Sequence, residues 1–135
     1  MKKNGILNAH LSFIIASLGH TDKLLICDCG MPIPEHADKV DLALVKNIPD
    51  FLTTLKVVCN EVQIEQAIVA NEMLEVQNGE FFQTVEEILP DVQIDRVSHD
   101  QLKQLIKNED HIAVVRTGEA TPFANIVLIS GVTFP

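Results

Sequence analysis

Apolar residues recur along this chain in two alternating rhythms. Leu11, Ile14, Ile15 and Leu18 follow the i, i+3, i+4, i+7 spacing of a helix that buries one side, and Asn8 suits its N-cap. Gly19 stands where a helix end favours a left-handed residue, so the helix is expected to run to about Leu18 and stop. Leu24-Leu25-Ile26-Cys27 is a short continuous apolar run, the mark of an interior strand from Lys23 to Cys27. Gly30, Pro32 and Pro34 make residues 29–38 a loop, and Lys39-Val40-Asp41-Leu42 fits a short strand. Pro49 suits the first turn of a second helix, whose Phe51, Leu52, Leu55, Val58 and Cys59 keep helical spacing.

The second half repeats the scheme. Residues 65–70 read as a buried strand, although residues 63–73 also fit a helix. Asn78-Gly79 marks a break before a third helix through Phe81, Phe82, Val85, Ile88 and Leu89, which Pro90 ends. Residues 92–97 alternate as a strand does, and Ser98-His99-Asp100-Gln101 is a capping box opening a helix through Leu102, Leu105 and Ile106. Strands follow at residues 112–115 and 126–129, separated by the loop 116–122. That loop is too short for a helical crossover, so the last two strands run antiparallel or are not neighbours. Strands alternating with helices predict an α/β fold, a three-layer α/β/α sandwich around a mostly parallel, mixed sheet. With no repeat or linker, the 135 residues are expected to form a single domain.

Charge and composition narrow the function classes. Ten Lys and Arg against nineteen Asp and Glu give a net charge of −9, and no basic stripe offsets it, so nucleic acid is not the expected partner. No apolar run nears the roughly 18 residues that cross a bilayer. The basic start, Met1-Lys2-Lys3, lacks the apolar region of a signal peptide, which points to a cytoplasmic protein away from membranes. Three cysteines do not suggest a disulfide scaffold. Cys27-Asp28-Cys29, with His20 and His36 nearby, is short of the C-x₂₋₄-C spacing of structural zinc, and buried packing is the preferred reading.

Ligands of open α/β sheets bind beyond the carboxyl ends of strands. Asp28, Ser98, His99 and the loop from Arg116 to Pro122 fall there, whereas His20 sits at the entrance of the first strand. Each has a plainer reading. His20 also suits a helix C-terminus, Asp28 a turn brace, His99 an exposed first helical position, and Arg116 with Glu119 an ion pair with each other or across an interface. No nucleophile elbow, phosphate loop or carboxylate cluster is present. Imidazole and carboxylate remain, the equipment of proton transfer: enolisation, ring opening, tautomer exchange. His20 and Asp28 bracket a strand rising about 3.3 Å per residue. They share a site only if the turn folds back or a second subunit supplies one of them.

Several fragments together resemble the ribose and fucose mutarotase family: Met1-Lys2-Lys3-x-Gly5-Ile6-Leu7-Asn8-x-His10, Leu18-Gly19-His20-Thr21-Asp22, Asp28-x-Gly30-Met31-Pro32-x-Pro34, Ser98-His99 and Arg116-Thr117-Gly118-Glu119-x-Thr121-Pro122-x-x-Asn125. They span the chain in order, so the resemblance covers one mutarotase domain, residues 1–135. It implies an isomerase that interconverts pyranose and furanose forms of free D-ribose for a furanose-specific kinase, with no cofactor or metal. It also implies a ring-like homo-oligomer, typically a decamer, with sites at subunit contacts. By position, His20 is the catalytic acid/base, Asp28 and His99 contact substrate, and Phe123, Ala124 and Asn125 fall on the family's Tyr-Ala-Asn triplet. Phe123 keeps the ring and lacks the hydroxyl, which touches sugar preference. A mutarotase for another sugar such as fucose, a non-catalytic sugar-binding accessory of ribose uptake, a thiol or metal protein, and a structural oligomer are the competing readings.

Overall fold

The apolar runs fold into the strands of one sheet, and the helical stripes cover it. A computed structural model describes residues 1–135. In chain order it contains α1 (Ala9–Ser17), β1 (Lys23–Cys27), β2 (Asp38–Asp41), α2 (Phe51–Cys59), β3 (Ile64–Ala70), α3 (Glu80–Ile88), β4 (Gln93–Val97), α4 (His99–Asn108), β5 (Ile112–Arg116) and β6 (Ile126–Ser130). The six strands lie in the order β2-β5-β1-β6-β3-β4. β2, β5 and β1 pair in parallel, as do β3 and β4, while β6 runs antiparallel to both β1 and β3. The fold is thus α/β with a mixed, mostly parallel sheet.

Alternation along β1 explains the layering. Leu24 and Ile26 join a core of 21 buried residues that includes Leu11 and Ile14 of α1, Phe51, Leu55 and Val58 of α2, and Phe81, Phe82 and Val85 of α3. Leu25 and Cys27 point to the opposite face, into ten buried residues that include Leu102 and Ile106 of α4. Helices therefore cover both faces. Burial pushes the Cys27 thiol up to about 12, with the Asp28 charge adding to it, so this sulfur stays protonated as a packing group.

Caps agree with the residues chosen for them. Asn8 Oδ1 accepts the Leu11 N–H at 2.9 Å, and Ser98 with Gln101 forms both bonds of the capping box. Two open alternatives are settled and two expectations are revised. Residues 64–70 are strand, and the 3₁₀ turns of Asn71–Gly79 begin only after it, which removes the helical alternative for 63–73. β5 and β6 are not neighbours, because β1 lies between them. Pro49, joined to Ile48 by a cis peptide bond, precedes the N-cap Asp50 and lies outside α2. Gly19 is not left-handed: Leu18 leaves α1 in an extended conformation, and the positive φ falls on Thr21, at 70°.

Candidate functional site

The carboxyl end of β1 meets the start of β6, so the residue after one strand faces the residue before the other. Asp28 and Asn125 are locked reciprocally. Asn125 Oδ1 accepts the Asp28 N–H at 2.9 Å, and Asn125 Nδ2 donates to Asp28 Oδ2 at 3.0 Å. The other carboxylate oxygen accepts the Gly30 N–H at 2.9 Å, so Asp28 does brace its turn. Asn125 and Ala124 are fully buried. Phe123 adopts φ 65°, costly for a residue with a bulky side chain. Its ring and that of His99 form a T-shaped pair, with centroids 5.0 Å apart and an interplanar angle of 81°. His99 opens α4, where the Glu72 carboxylate accepts its main-chain N–H with both oxygens at 3.1 Å. His99 Nδ1 is buried without a hydrogen-bond partner. Asp28, His99, Phe123, Ala124 and Asn125 therefore form one contiguous polar and aromatic group.

Arg116 fastens this group to the sheet. Its Nε and Nη2 donate to the Cys29 carbonyl at 3.3 and 3.1 Å, and Nη1 donates to both Asp41 oxygens at 3.0 and 3.1 Å. An Arg116–Glu119 pair is not formed; Glu119 is buried elsewhere. Burial acts to raise the Asp41 carboxyl, but the Arg116 guanidinium and the Ala43 amide outweigh it and hold the group below 3.8. A depressed folded value stabilises the protein fully above the ordinary carboxylate range and stops doing so as pH falls through the lower value. The melting-temperature gap between wild type and Arg116→Met is therefore expected to be wider at about pH 6 than at about pH 2. A thermal-denaturation series in which the gap stays constant or widens on acidification contradicts this.

His20 lies at the other end of β1. The turn around it is held by the Asp22 N–H on the Gly19 carbonyl at 3.2 Å, the Gly19 N–H on Asp22 Oδ2 at 2.7 Å, and the Thr21 N–H on the Ser130 carbonyl at 2.8 Å. His20 Nε2 lies 2.9 Å from Glu65 Oε2, with the two side chains 53% and 43% exposed. The ring borders a cavity of about 330 Å³ that Leu18, Gln63, Gly131, Val132 and Phe134 also line. The turn does not fold back over the sheet. The five residues of β1 span roughly 17 Å at about 3.3 Å each, which separates His20 from Asp28 within one chain.

Glu65 and Glu72 were not legible as site residues. They contact His20 and the His99 amide across 45 and 27 positions, and neither stands in a local motif. Chemically, the Asp28 group gathers a carboxylate, an imidazole and a phenyl ring, and His20 offers a half-exposed imidazole beside a carboxylate. The first suits holding hydroxyls, the second moving protons.

Comparison with known proteins adds lineage. A model of the RbsD / FucU transport protein family matches residues 1–133. A D-ribose pyranase of Geobacillus thermodenitrificans is 48% identical over 134 residues, covering 99% of both chains. One from Clostridium tetani is 49% identical over 134 residues, 99% of this chain and 100% of its own. Among solved structures, Bacillus subtilis RbsD complexed with D-ribose superposes with a TM-score of 0.90 at 43% identity, covering 99% of this chain and 100% of that one. The fucose mutarotase of Streptococcus pneumoniae in complex with L-fucose, at 17% identity and a TM-score of 0.77 over 95% of each chain, shares the fold.

Proposed function

The chain belongs to the RbsD / FucU family, and from that premise we propose that it is a D-ribose pyranase, an isomerase that speeds exchange between pyranose and furanose forms of free D-ribose. What carries this reading is the near-half identity to D-ribose pyranases along almost the whole chain. The reaction needs only acid–base groups. The anomeric hydroxyl loses its proton, the ring oxygen gains one, and the bond between the anomeric carbon and the ring oxygen breaks to leave the open-chain aldehyde. Attack by the other hydroxyl on that carbon, with the reverse proton movements, closes the ring at its new size.

His20 is the acid/base in this scheme. Asp28 and His99 hold sugar hydroxyls, and Phe123, Ala124 and Asn125 form the wall behind them. Because His20 and Asp28 sit at opposite ends of β1, the working site joins His20 of one copy to the Asp28 group of another. A ring-like homodecamer in the cytoplasm is the assembly this reading carries. Phe123 packs its face on the sugar and offers no hydroxyl, so discrimination between sugars rests on Asp28, His99 and Asn125.

The deciding measurement is saturation transfer between the anomeric NMR signals of pyranose and furanose forms, with and without protein, for ribose and fucose in parallel. Faster ribose exchange is the expected result. Ribose binding with unchanged exchange leaves a sugar-binding accessory, and acceleration confined to fucose makes the enzyme a mutarotase for that sugar.

A further inference from the structure

We propose that Glu119 is a positioning residue for the sugar site, holding the Asp28 turn and residues 123–125 in one fixed relation and so setting how tightly substrate is held. The inference rests on the pyranase reading above.

Glu119 is 6% exposed, a polar group inside the protein that needs hydrogen-bond partners. It has them on both oxygens. Oε1 accepts the Phe51 N–H at 3.0 Å, and Oε2 accepts the Thr121 hydroxyl at 3.0 Å. Asp50, the N-cap of α2, makes no side-chain cap bond, so Glu119 satisfies that helix start from 68 positions away. Its main chain is equally committed: the N–H donates to Thr117 Oγ1 at 3.1 Å, and the carbonyl accepts the Cys29 N–H at 2.9 Å.

Cys29 directly follows Asp28, and Thr121 stands two residues before Phe123, so both halves of the sugar-holding group hang on this one residue. The neighbouring glycine keeps the loop from sliding. A Cβ on Gly118 would meet the Val45 and Ile48 carbonyl oxygens at 2.5 Å, and the Gly118 N–H donates to the Pro49 carbonyl at 2.8 Å. Both Glu119 carboxylate oxygens are engaged inside the protein, by the Phe51 amide and the Thr121 hydroxyl, so it takes no part in the proton step. Loosening it weakens the hold on sugar in ground and transition states alike, which raises KM and spares kcat.

The test compares Glu119→Ala, Glu119→Gln and Thr121→Val in the D-ribose exchange assay across ribose concentrations, with Val58→Ala as a core-destabilised control outside the loop. Glu119→Ala is expected to raise KM by about 10- to 100-fold, with kcat within about threefold of wild type. Glu119→Gln keeps an acceptor for the Phe51 N–H and a donor for Thr121, and restores KM to near wild type. Thr121→Val, which loses one arm, falls between and carries the test if Glu119→Ala does not fold. An unchanged KM in Thr121→Val, a fall in kcat alone, or a KM rise no larger than that of Val58→Ala at a matched loss of melting temperature overturns the inference. A wild-type chain that does not accelerate exchange sinks the pyranase reading first; acceleration with unmoved KM in the loop variants sinks this one alone.

Discussion

Replacing His20 with alanine is expected to remove the acceleration of ribose ring exchange by about 10²- to 10⁴-fold, the usual worth of a positioned acid/base, and to leave the protein folded. The second half follows from exposure. The His20 and Glu65 side chains are about half in water, and a pair in that setting adds little to stability. The tight turn does not need the imidazole, since main-chain bonds to Ser130 and between Gly19 and Asp22 hold it. A variant with unchanged melting temperature and solution-rate exchange separates lost chemistry from lost structure. His20→Ala that keeps full acceleration in the saturation-transfer assay removes the imidazole from the mechanism, and with it the acid–base account of this site.

How far the sequence foretold this arrangement depends on the range of each contact. Local periodicity was enough for all four helices and five of the six strands, because burial on one stripe or on both sheet faces leaves a direct imprint on which positions are apolar, but it left residues 63–73 open between strand and helix. The capping residues Asn8 and Ser98 were legible for the same reason, since their bonds close within three residues. Turn conformation was harder. Gly19 looked like the left-handed residue, yet the chain leaves α1 extended, and Thr21 takes the positive φ where its N–H reaches the Ser130 carbonyl. No local pattern encodes a bond across more than a hundred positions. Strand neighbours were equally hidden, for the insertion of β1 between β5 and β6 is set by two cores filling together.

The candidate site divides along the same line. The geometric dilemma of His20 and Asp28 at the two ends of a strand was visible from spacing alone. The coordinates remove one of its two solutions, because the turn stays at the amino end of β1. The resemblance to mutarotases supplied the residues by position, and folding brings five of them into one group through the Asp28–Asn125 lock and the Phe123–His99 contact. What it could not supply were Glu65 and Glu72, each distant in sequence from the histidine it touches, and the long-range bond by which Glu119, itself inside a matching fragment, reaches the Phe51 amide.

The remaining solution makes a strong expectation: two inactive variants should repair each other. Asp28→Asn keeps the side chain's size and one oxygen for the Gly30 amide, while removing the charge proposed to hold a sugar hydroxyl and leaving an amide donor against Asn125 Nδ2. Hydrogen bonds to a charged group are worth about 1.5–3 kcal/mol, so exchange should drop by about 10- to 100-fold. Coexpressed with His20→Ala, each chain carries one intact half. If His20 and Asp28 of one site come from different copies, random pairing at a repeated contact leaves about one quarter of sites with both wild-type residues. Exchange per chain should then recover to about a quarter of wild type, far above either variant alone. If both residues serve one site from the same chain, no assortment produces an intact site, and the mixture stays as slow as its parts. Recovery also requires that the copies assemble, so the coexpressed species must be larger than the 14.9 kDa chain in light scattering. An assembled mixture with no recovered exchange refutes the shared site. It would then leave the separation of His20 from Asp28 along β1 as an argument against their acting together at all.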